Sequence, residues 1–469
     1  SHGMCVKDGA VGAGLQSALA PSPSGAHIGQ DMWLYSVMPA LSALVTRSYY
    51  RLTLSGSLPP TGPVLIVANH SNSLIDPALV VVAARRSVRF MAKHTLFEHS
   101  QIGWLVKAVG SVPVYRAMDN PEDIGRNFDS FRDVHAAIAR GDAVGIFPEG
   151  TSHSASRLQP LKTGAARIAL GAAQRTGGSF PIVPIGLVFR DRRAFRSSAR
   201  VIIGESCEWS DLATRGPQDK AAVRELTRRI EASMRTVTVN LRSWADAQLV
   251  RCAERVWAAE YGTSPDGRAE LHRLQTATDA LALLRMGERE DWRAVARELR
   301  AHDRMLTRLG LTPMSLLDTI TREDVASWVI RRLPLLPMLP VALVGFVLFR
   351  APRLLTGVLS DRLAVVEGED TVPTYRVLLG SVIFFVWFSV LSVSVGAWFG
   401  WRAALLVFLA LPVFGFLALW IADSHRLSWT EARRYVVVRT NRRRVAAMRA
   451  RQRALAERLR HLFAHRMPE

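Results

Sequence analysis

A histidine and an aspartate follow the first apolar strand-like run of the chain, in the segment NHSNSLIDP that begins at Asn69. A carboxylate can hold one imidazole nitrogen and leave the other able to take a proton from a hydroxyl. His70 and Asp76 are therefore a candidate general base and its orienting partner. Because the sequence has no nucleophile elbow of the G-x-S-x-G type, the attacking hydroxyl has to come from a substrate. The alternative is a loop histidine beside an aspartate that caps a helix.

Three further segments carry side chains suited to a phosphorylated substrate. The segment VPVYR ends at Arg116, whose guanidinium can contact a phosphate through two nitrogens, although taken alone it would be a surface arginine. The segment FPEGTSH supplies a carboxylate, a glycine and two hydroxyls, at Glu149, Gly150, Thr151 and Ser152. The segment IVPIG contains Pro184, which by itself indicates only a strand edge or a bend.

These segments fall where predicted strands end. Strands are predicted at Val64–Ala68, Val88–Ala92, Val112–Tyr115, Ala143–Phe147, Ile182–Leu187 and Val201–Gly204, and helices at Asp76–Arg85, Ile102–Val109, Asn127–Arg140 and Thr163–Arg175. Strands that alternate with helices predict an α/β domain with a mostly parallel sheet flanked by helices, here over residues 52–218. Ligand sites form at the ends of such strands. Residues 219–330 have a charged, helical pattern without a chemical motif and are interpreted as a helical linker region.

Composition and charge narrow the class of protein. The 469 residues are 49% hydrophobic and 21% charged, unlike a disordered chain or a coiled coil. Sixty Lys and Arg against forty Asp and Glu leave a charge of +20, which favours an anionic partner such as nucleic acid, an acidic membrane or a phosphorylated substrate. Three widely spaced cysteines offer no disulfide framework and no zinc spacing, which indicates a reducing compartment.

Two long uncharged runs predict membrane helices. Val377–Trp401 has 25 residues and Ala403–Ala422 has 20, and ~20 apolar residues suffice for one crossing. We therefore expect two transmembrane helices within residues 377–422. Within residues 331–353, the apolar run 333–349 contains three prolines and is flanked by arginines on both sides, which predicts a re-entrant or interfacial segment rather than a span.

The two ends of the chain also carry predictions. Residues 424–469 hold thirteen arginines and three glutamates, and we expect a helical cytoplasmic tail that lies on anionic lipid or, alternatively, is simply solvated. Residues 31–51 predict an interfacial amphipathic helix with Trp33, Val37, Leu41 and Leu44 on its apolar face, or else a core helix of the next domain. Residues 1–30 are interpreted as a tag remnant, Ser1 to Met4, and a flexible N-terminus.

Taken together, the segments NHSNSLID, VPVYR, FPEGTS and IVPIG resemble the motifs of the glycerol-3-phosphate and 1-acylglycerol-3-phosphate acyltransferase superfamily. The stretches RFMAK and LKTGA, which contain Lys93 and Lys162, resemble the lysine-bearing stretches between those motifs. The resemblance covers roughly residues 31–206 and continues loosely into residues 370–385. Five residues rather than the common four separate His70 from Asp76, a longer spacing that similar sequences of the yeast glycerol-3-phosphate acyltransferase type also carry.

The resemblance implies transfer of a fatty acyl group, in phospholipid biosynthesis, from acyl-CoA or acyl carrier protein to a hydroxyl of glycerol 3-phosphate or 1-acylglycerol 3-phosphate. The longer spacing favours the first acceptor. In the reaction that the resemblance implies, His70 would be the general base and Asp76 would orient its imidazole. Pro184 would lie near the acyl chain. The contacts to the phosphorylated acceptor or the donor would come from Arg116, Glu149, Gly150, Thr151, Ser152, Lys93 and Lys162.

No metal and no cofactor beyond the thioester co-substrate are expected, because a thioester is already an activated acyl donor. The expected partners are the acyl donor, the phosphorylated glycerol acceptor and anionic membrane lipid. A nucleic acid is not expected, since the basic tail lacks interleaved aromatic residues. We expect an integral membrane protein with its site on the cytoplasmic face. The alternatives are an acyltransferase for another lysophospholipid and a non-catalytic lipid-binding membrane protein of the same fold.

Overall fold

The computed structural model describes residues 33–98, 103–115, 127–262, 267–285, 289–317 and 322–463. The predicted tag remnant and flexible N-terminus, residues 1–30, lie outside this described part, and so does Arg116. Strands alternate with helices up to residue 203, and only helices and short 3₁₀ turns follow.

The described strands form one seven-stranded sheet in the order β1-β7-β6-β2-β5-β3-β4. Neighbouring strands pair in parallel except β6 and β7, which pair antiparallel, so the prediction of a mostly parallel sheet is confirmed. Sequence analysis missed β1, because RLTLS alternates with polar residues at the edge of the sheet. The strands are β1 Arg51–Ser55, β2 Val64–Ala68, β3 Val88–Lys93, β4 Val112–Val114, β5 Ala143–Ile146, β6 Ile182–Phe189 and β7 Ser198–Ile203.

Helices cover both faces of the sheet. They are α1 Trp33–Tyr49, α2 Ile75–Ala84, α3 His94–Glu98, α4 Gly103–Ala108, α5 Asn127–Ala139, α6 Gly164–Thr176 and α7 Lys220–Val237. The fully buried strand β2 (VLIVA) lies in the middle, as expected of a parallel strand covered on both sides. Leu226, Ile230 and Met234 of α7 share a buried core with Leu65 of β2. The predicted boundary at residue 218 is therefore too early, because α7 belongs to the α/β domain.

The helical region is a packed body rather than a linker. Its helices are α8 Trp244–Tyr261, α9 Gly267–Leu284, α10 Arg289–Leu309 and α11 Arg322–Arg332. Helix α16, Arg442–Phe463, packs against them, since Leu455, Ala456 and Leu459 are buried together with residues of α8, α9 and α10. This corrects the prediction of a tail that only lies on lipid or in solvent, because one face of α16 is part of a protein core.

Two helices of the described chain, over Glu369–Phe399 and Trp401–Thr440, are long and apolar enough to cross a membrane. They correspond to α14, Val372–Phe399, and α15, Trp401–Thr440. Helix α15 continues without a break past residue 424, where the tail was predicted to begin. Helices α12, Leu339–Leu348, and α13, Arg350–Glu367, bend by 49° at their junction and would form a third crossing only as a single broken span, so the re-entrant or interfacial segment stays a prediction.

Helix α1 exposes the residues that are predicted to form its apolar face. Val37, Leu41 and Leu44 are exposed, whereas Ser42 and Thr46 are buried. The buried face also includes Leu34 and Tyr49, so α1 packs on the domain through one face and exposes Val37, Leu41 and Leu44 on the other, as a helix lying in a membrane interface would. The interfacial position itself remains a prediction.

Candidate active site

The histidine and the aspartate of the first motif contact each other at the end of β2. Nδ1 of His70 lies 3.0 Å from Oδ2 of Asp76, whose side chain is fully buried. A carboxylate at this distance accepts a hydrogen bond, so Nδ1 carries the ring proton and Nε2 is the basic nitrogen. The imidazole stacks on Phe147 with ring centroids 4.1 Å apart, which fixes the plane of the ring. The site therefore holds an imidazole whose plane is fixed and whose Nε2 does not contact the carboxylate.

The loop between these residues accommodates the longer spacing. Ser73 has a left-handed backbone with φ of 41°, which turns the chain just before α2 begins at Ile75. The same Asp76 oxygen also accepts hydrogen bonds from the backbone N–H groups of Ser71 and Asn72, each over 2.7 Å. Asp76 therefore organises the loop as well as the imidazole.

Glu149 is an internal anchor rather than an exposed substrate contact. Its side chain is fully buried, and Oε1 accepts a hydrogen bond from the backbone N–H of His70 over 2.9 Å. Oε2 accepts from the backbone N–H of Gln159 over 2.8 Å and from Nε2 of His153. Both carboxylate oxygens are thus occupied by the protein, and Glu149 fixes the loop after β5 against the loop after β2.

The other residues of the FPEGTS motif form the turn beside Glu149. Gly150 has a φ of +82°, a conformation that side chains rarely adopt, and a Cβ placed there would lie 3.2 Å from Cγ of Lys162. Thr151 is exposed. Ser152 Oγ donates a hydrogen bond to Oδ2 of Asp370 over 2.5 Å, so its proton is already engaged.

The remaining described residues of the predicted site, Lys93, Lys162 and Pro184, lie on different elements of the domain. Lys93 ends β3 and pairs in register with Val114 of β4, two residues before Arg116. Lys162 is exposed beside the FPEGTS turn and donates its backbone N–H to the carbonyl of Pro148 over 2.7 Å. Pro184 is buried within β6, paired with Val67, and is not at the strand ends. Its predicted position beside an acyl chain remains a prediction.

The start of α14 contributes contacts that sequence analysis did not predict. The hydroxyl of Thr374 accepts a hydrogen bond from the backbone N–H of Leu74, which precedes α2 and has no side-chain cap of its own. With the Ser152–Asp370 hydrogen bond, this joins both motif loops to the base of the apolar hairpin. The sequence signal for these contacts was the loose continuation of the family resemblance into residues 370–385.

A third connection runs through Tyr50, a buried tyrosine before β1. Its hydroxyl accepts a hydrogen bond from Nδ2 of Asn72 over 2.7 Å and donates to the carbonyl of Arg192. Burial raises the pKa of Tyr50, so it stays a neutral donor. Asn69 in turn exchanges two hydrogen bonds with the backbone of Leu187 in β6. These contacts tie the histidine loop to the β6–β7 side of the sheet.

A large cavity of about 990 Å³ opens on that side, next to the histidine loop. Its lining includes Ser71 and His153 together with residues of α8 and α10. The helical region, which carries no recognisable motif, thus forms a wall of the space beside the candidate base. Sequence analysis could not predict this wall, because nothing in the helical pattern indicates where the helices pack.

The described residues thus combine a mostly parallel sheet with a His–Asp pair at the end of its central strand β2. Residues 51–188 match the family model described as Acyltransferase.

Individual relatives are also named acyltransferases. The chain is 32% identical over 135 residues to glycerol-3-phosphate O-acyltransferase 1 of Saccharomyces cerevisiae, which covers 28% of this chain and 18% of that protein. It is 29% identical over 160 residues to the 1-acyl-sn-glycerol-3-phosphate acyltransferase of Bacillus subtilis, covering 34% and 73%. The chain thus spans about a fifth of the length of the yeast relative. The crystal structure of the 1-acyl-sn-glycerophosphate acyltransferase of Thermotoga maritima aligns with a TM-score of 0.31 at 18% identity, over 43% of this chain and 76% of that one.

Proposed function

We propose that this protein transfers a fatty acyl group from a thioester to a hydroxyl of glycerol 3-phosphate or 1-acylglycerol 3-phosphate. The observation that carries the proposal is the contact of His70 Nδ1 with Asp76 Oδ2, which leaves Nε2 as a base at the edge of the sheet. The names of the relatives support the acceptor class. The longer His–Asp spacing favours glycerol 3-phosphate between the two.

In the proposed reaction, Nε2 of His70 takes the proton of the acceptor hydroxyl as its oxygen attacks the thioester carbonyl carbon. The carbon–sulfur bond breaks, and the imidazolium returns the proton to the departing thiolate. Asp76 stabilises the imidazolium through its hydrogen bond to Nδ1 and keeps the ring in the reactive tautomer. The products are an ester and a thiol, and His70 is regenerated.

The acceptor phosphate would be bound on the β3–β4 side of His70. Lys93 and Lys162 are the basic candidates there, and the exposed hydroxyl of Thr151 is a further donor. Arg116, which lies outside the described residues, is a third basic candidate from its sequence motif alone. Glu149 acts as a positioning residue, since both its oxygens hold protein groups. The hydroxyl of Ser152 donates its hydrogen bond to Asp370, so we propose that Ser152 fixes the loop rather than binds phosphate.

Membrane attachment suits this chemistry. An acyl donor and an acylated product partition into lipid, so a site held at a bilayer surface meets both without a long transfer through water. We propose that α14 and α15 cross the membrane and that the arginines of α16 and its neighbourhood keep the domain on the cytoplasmic side, near anionic lipid.

The test is thiol release from palmitoyl-CoA by the purified full chain, with glycerol 3-phosphate, 1-acylglycerol 3-phosphate and other lysophospholipids as acceptors. We expect His70→Ala to lower turnover by ~10² or more, as loss of a general base does. His272→Ala, an exposed histidine on α9, is the matched control and should leave turnover unchanged. Wild-type turnover in His70→Ala would refute the mechanism. Absence of turnover with every acceptor, from palmitoyl-CoA and from palmitoyl-acyl carrier protein alike, would favour a non-catalytic lipid-binding protein.

A further inference from the structure

The cavity beside the histidine loop is lined by an unusual number of guanidinium groups. They come from the loop after β5, the β6–β7 connection, β7 and helix α8: Arg157, Arg190, Arg192, Arg193, Arg200, Arg251 and Arg255. Aliphatic side chains such as Leu187, Leu241 and Val250 form the rest of the wall. Six carboxylates also line it, namely Glu149, Asp191, Glu254, Glu270, Asp303 and Glu369.

Most of these carboxylates are already held by neighbouring groups. Arg200 pairs with Glu270 over 2.8 Å, and Arg255 pairs with Asp303 over 3.0 Å. Glu254 forms an ion pair over 2.9 Å with Arg273, which lies outside the cavity. In the part of the chain that the structure describes, no ion pair is formed by Arg157, Arg190 or Arg251. Glu369 pairs with Arg192 over 3.7 Å and with Arg193 over 3.4 Å, although it is itself largely exposed. The seven guanidinium groups of the wall outnumber its six carboxylates, and one of those carboxylates, Glu254, is paired with Arg273 outside the cavity, so the wall carries an excess of positive charge.

Among the arginines that line the cavity, two buried guanidinium nitrogens lack acceptors. Within the described residues, Nη1 of Arg192 and Nε of Arg200 are inaccessible to solvent and make no hydrogen bond. A buried donor without an acceptor costs stability, and native structures contain few of them. Arg251 is half-buried beside Arg190 and Arg255, and burial lowers its pKa, as does the like charge of these neighbours. An anionic ligand would satisfy these groups together.

The position of the cavity indicates which ligand this is. In the sheet order, the cavity lies on the β6–β7 side of β2, whereas β3 and β4, with the basic residues proposed for the acceptor, lie on the opposite side. Asn69 and Ser71, on either side of His70 in the chain, both line it, as does Glu149, which accepts the backbone N–H of His70, so the cavity lies beside the histidine loop. The volume of about 990 Å³ is at the upper end for cofactor sites and larger than glycerol phosphate needs.

We infer that this cavity binds the phosphorylated nucleotide end of the acyl donor, so that the donor is a coenzyme A thioester whose phosphates contact Arg192 and Arg251. The inference rests on the proposed function. The indole of Trp244, which lies 5.7 Å under the guanidinium of Arg192, adds an aromatic face beside the phosphates. Arg251 and Trp244 belong to α8, outside the matched acyltransferase region, so the helical region supplies donor recognition.

Calorimetric titration of the detergent-solubilised full chain tests this, with coenzyme A, 3′-dephospho-coenzyme A and glycerol 3-phosphate as ligands. We expect Arg251→Gln and Arg192→Gln each to weaken coenzyme A binding about tenfold, as loss of one charge-assisted contact does. Arg251→Lys should recover part of the affinity, and glycerol 3-phosphate binding should not change. Arg297→Gln, an exposed arginine of α10, is the control and should bind coenzyme A as the wild type does.

Unchanged coenzyme A affinity in both variants overturns the inference, provided that thermal unfolding shows them folded. It is also overturned if glycerol 3-phosphate binding falls in parallel, or if Arg297→Gln loses as much affinity as Arg251→Gln. These results are separate from the test of catalysis. Coenzyme A binding that depends on Arg251 supports the cavity assignment even if no acyl transfer is measured, and turnover with carrier-protein thioesters but no coenzyme A binding overturns it.

Discussion

Ser152 donates a hydrogen bond to Asp370 over 2.5 Å, although 218 residues separate them in the sequence. Ser152 closes the FPEGTS motif at the end of β5, and Asp370 precedes the first apolar helix of the hairpin. Thr374, one turn further on, holds the start of α2 through the backbone of Leu74. The hairpin of α14 and α15 thus contacts both loops that carry the candidate catalytic groups. Its position in a membrane would therefore influence the geometry of these loops.

A double-mutant cycle on this pair should show coupling. We expect Ser152→Ala and Asp370→Ala each to lower turnover roughly five- to tenfold, because each frees the loop that holds Glu149. The double variant should lose little more, since the two groups act through one hydrogen bond. Ser381→Ala is the control, because this hydroxyl of α14 bonds only to Val377 of its own helix. Strictly multiplicative losses would show that the pair is not coupled.

The sequence predicts the local parts of this arrangement well. The buried strand β2 is predicted residue for residue, and the other predicted strands start or end within a few residues of the observed bounds, because apolar runs report burial directly. The contact of His70 with Asp76 follows from the resemblance of NHSNSLID to a known motif, since residue types and spacing alone left a helix cap as the alternative. The edge strand β1 is missed, since its side chains are only partly buried.

Long-range pairings are what the sequence does not predict. Nothing near Asp370 or Thr374 indicates that they cap loops some 200 to 300 residues away. The helical pattern of α8 likewise gives no sign that Arg251 faces the cavity beside the histidine loop. Periodicity tells which face of a helix is apolar, but which surface covers that face depends on tertiary packing.

Asp76→Asn should separate the charge of the carboxylate from its shape. The amide can still accept hydrogen bonds from Ser71 and Asn72, but it cannot stabilise an imidazolium at His70. We therefore expect a fall in turnover of ~10² or more with a small change in melting temperature. Asp219→Asn is the matched control, because asparagine caps the start of α7 as well as aspartate does. Near-normal turnover in Asp76→Asn would show that the carboxylate only organises the loop.

Acid should destabilise the α/β domain through His135, a histidine of α5 packed against Gly171. Burial lowers the pKa of His135 from 6.5 to about 4, with a smaller contribution from Arg175. Between these values the unfolded chain binds a proton that the folded chain does not, so stability is full above pH 6.5 and falls as the pH drops toward 4. The loss approaches ~3 kcal/mol below pH 4.

The measurement is thermal unfolding of wild type and His135→Phe from pH 8 to pH 4. Phenylalanine keeps a planar ring against Gly171 but cannot take up a proton. The two proteins should have similar melting temperatures at pH 8, and the wild type should lose several degrees more by pH 4.5. Parallel curves for the two proteins would exclude His135 as a source of acid sensitivity.

The Arg-rich C-terminal helix should be held by a buried glutamine rather than by lipid alone. Gln452 of α16 is fully buried, and its Nε2 donates to Glu260 over 2.8 Å and to the carbonyl of Pro313 over 3.2 Å. Its Oε1 lies 3.3 Å from Nε2 of His302 on α10. Gln452→Leu keeps the size of the side chain and leaves these groups without partners, at ~1–3 kcal/mol for each buried group.

We expect Gln452→Leu to lower the melting temperature by several degrees and to expose the arginines of α16 to trypsin, in anionic and in zwitterionic vesicles alike. Arg443→Gln, an exposed residue at the start of the same helix, should change neither. If anionic vesicles alone protected α16 from trypsin in the wild type, lipid and not the helical core would hold the helix. The buried Leu455 and Leu459 argue for the core, because an amphipathic helix on a bilayer would turn these residues toward lipid instead.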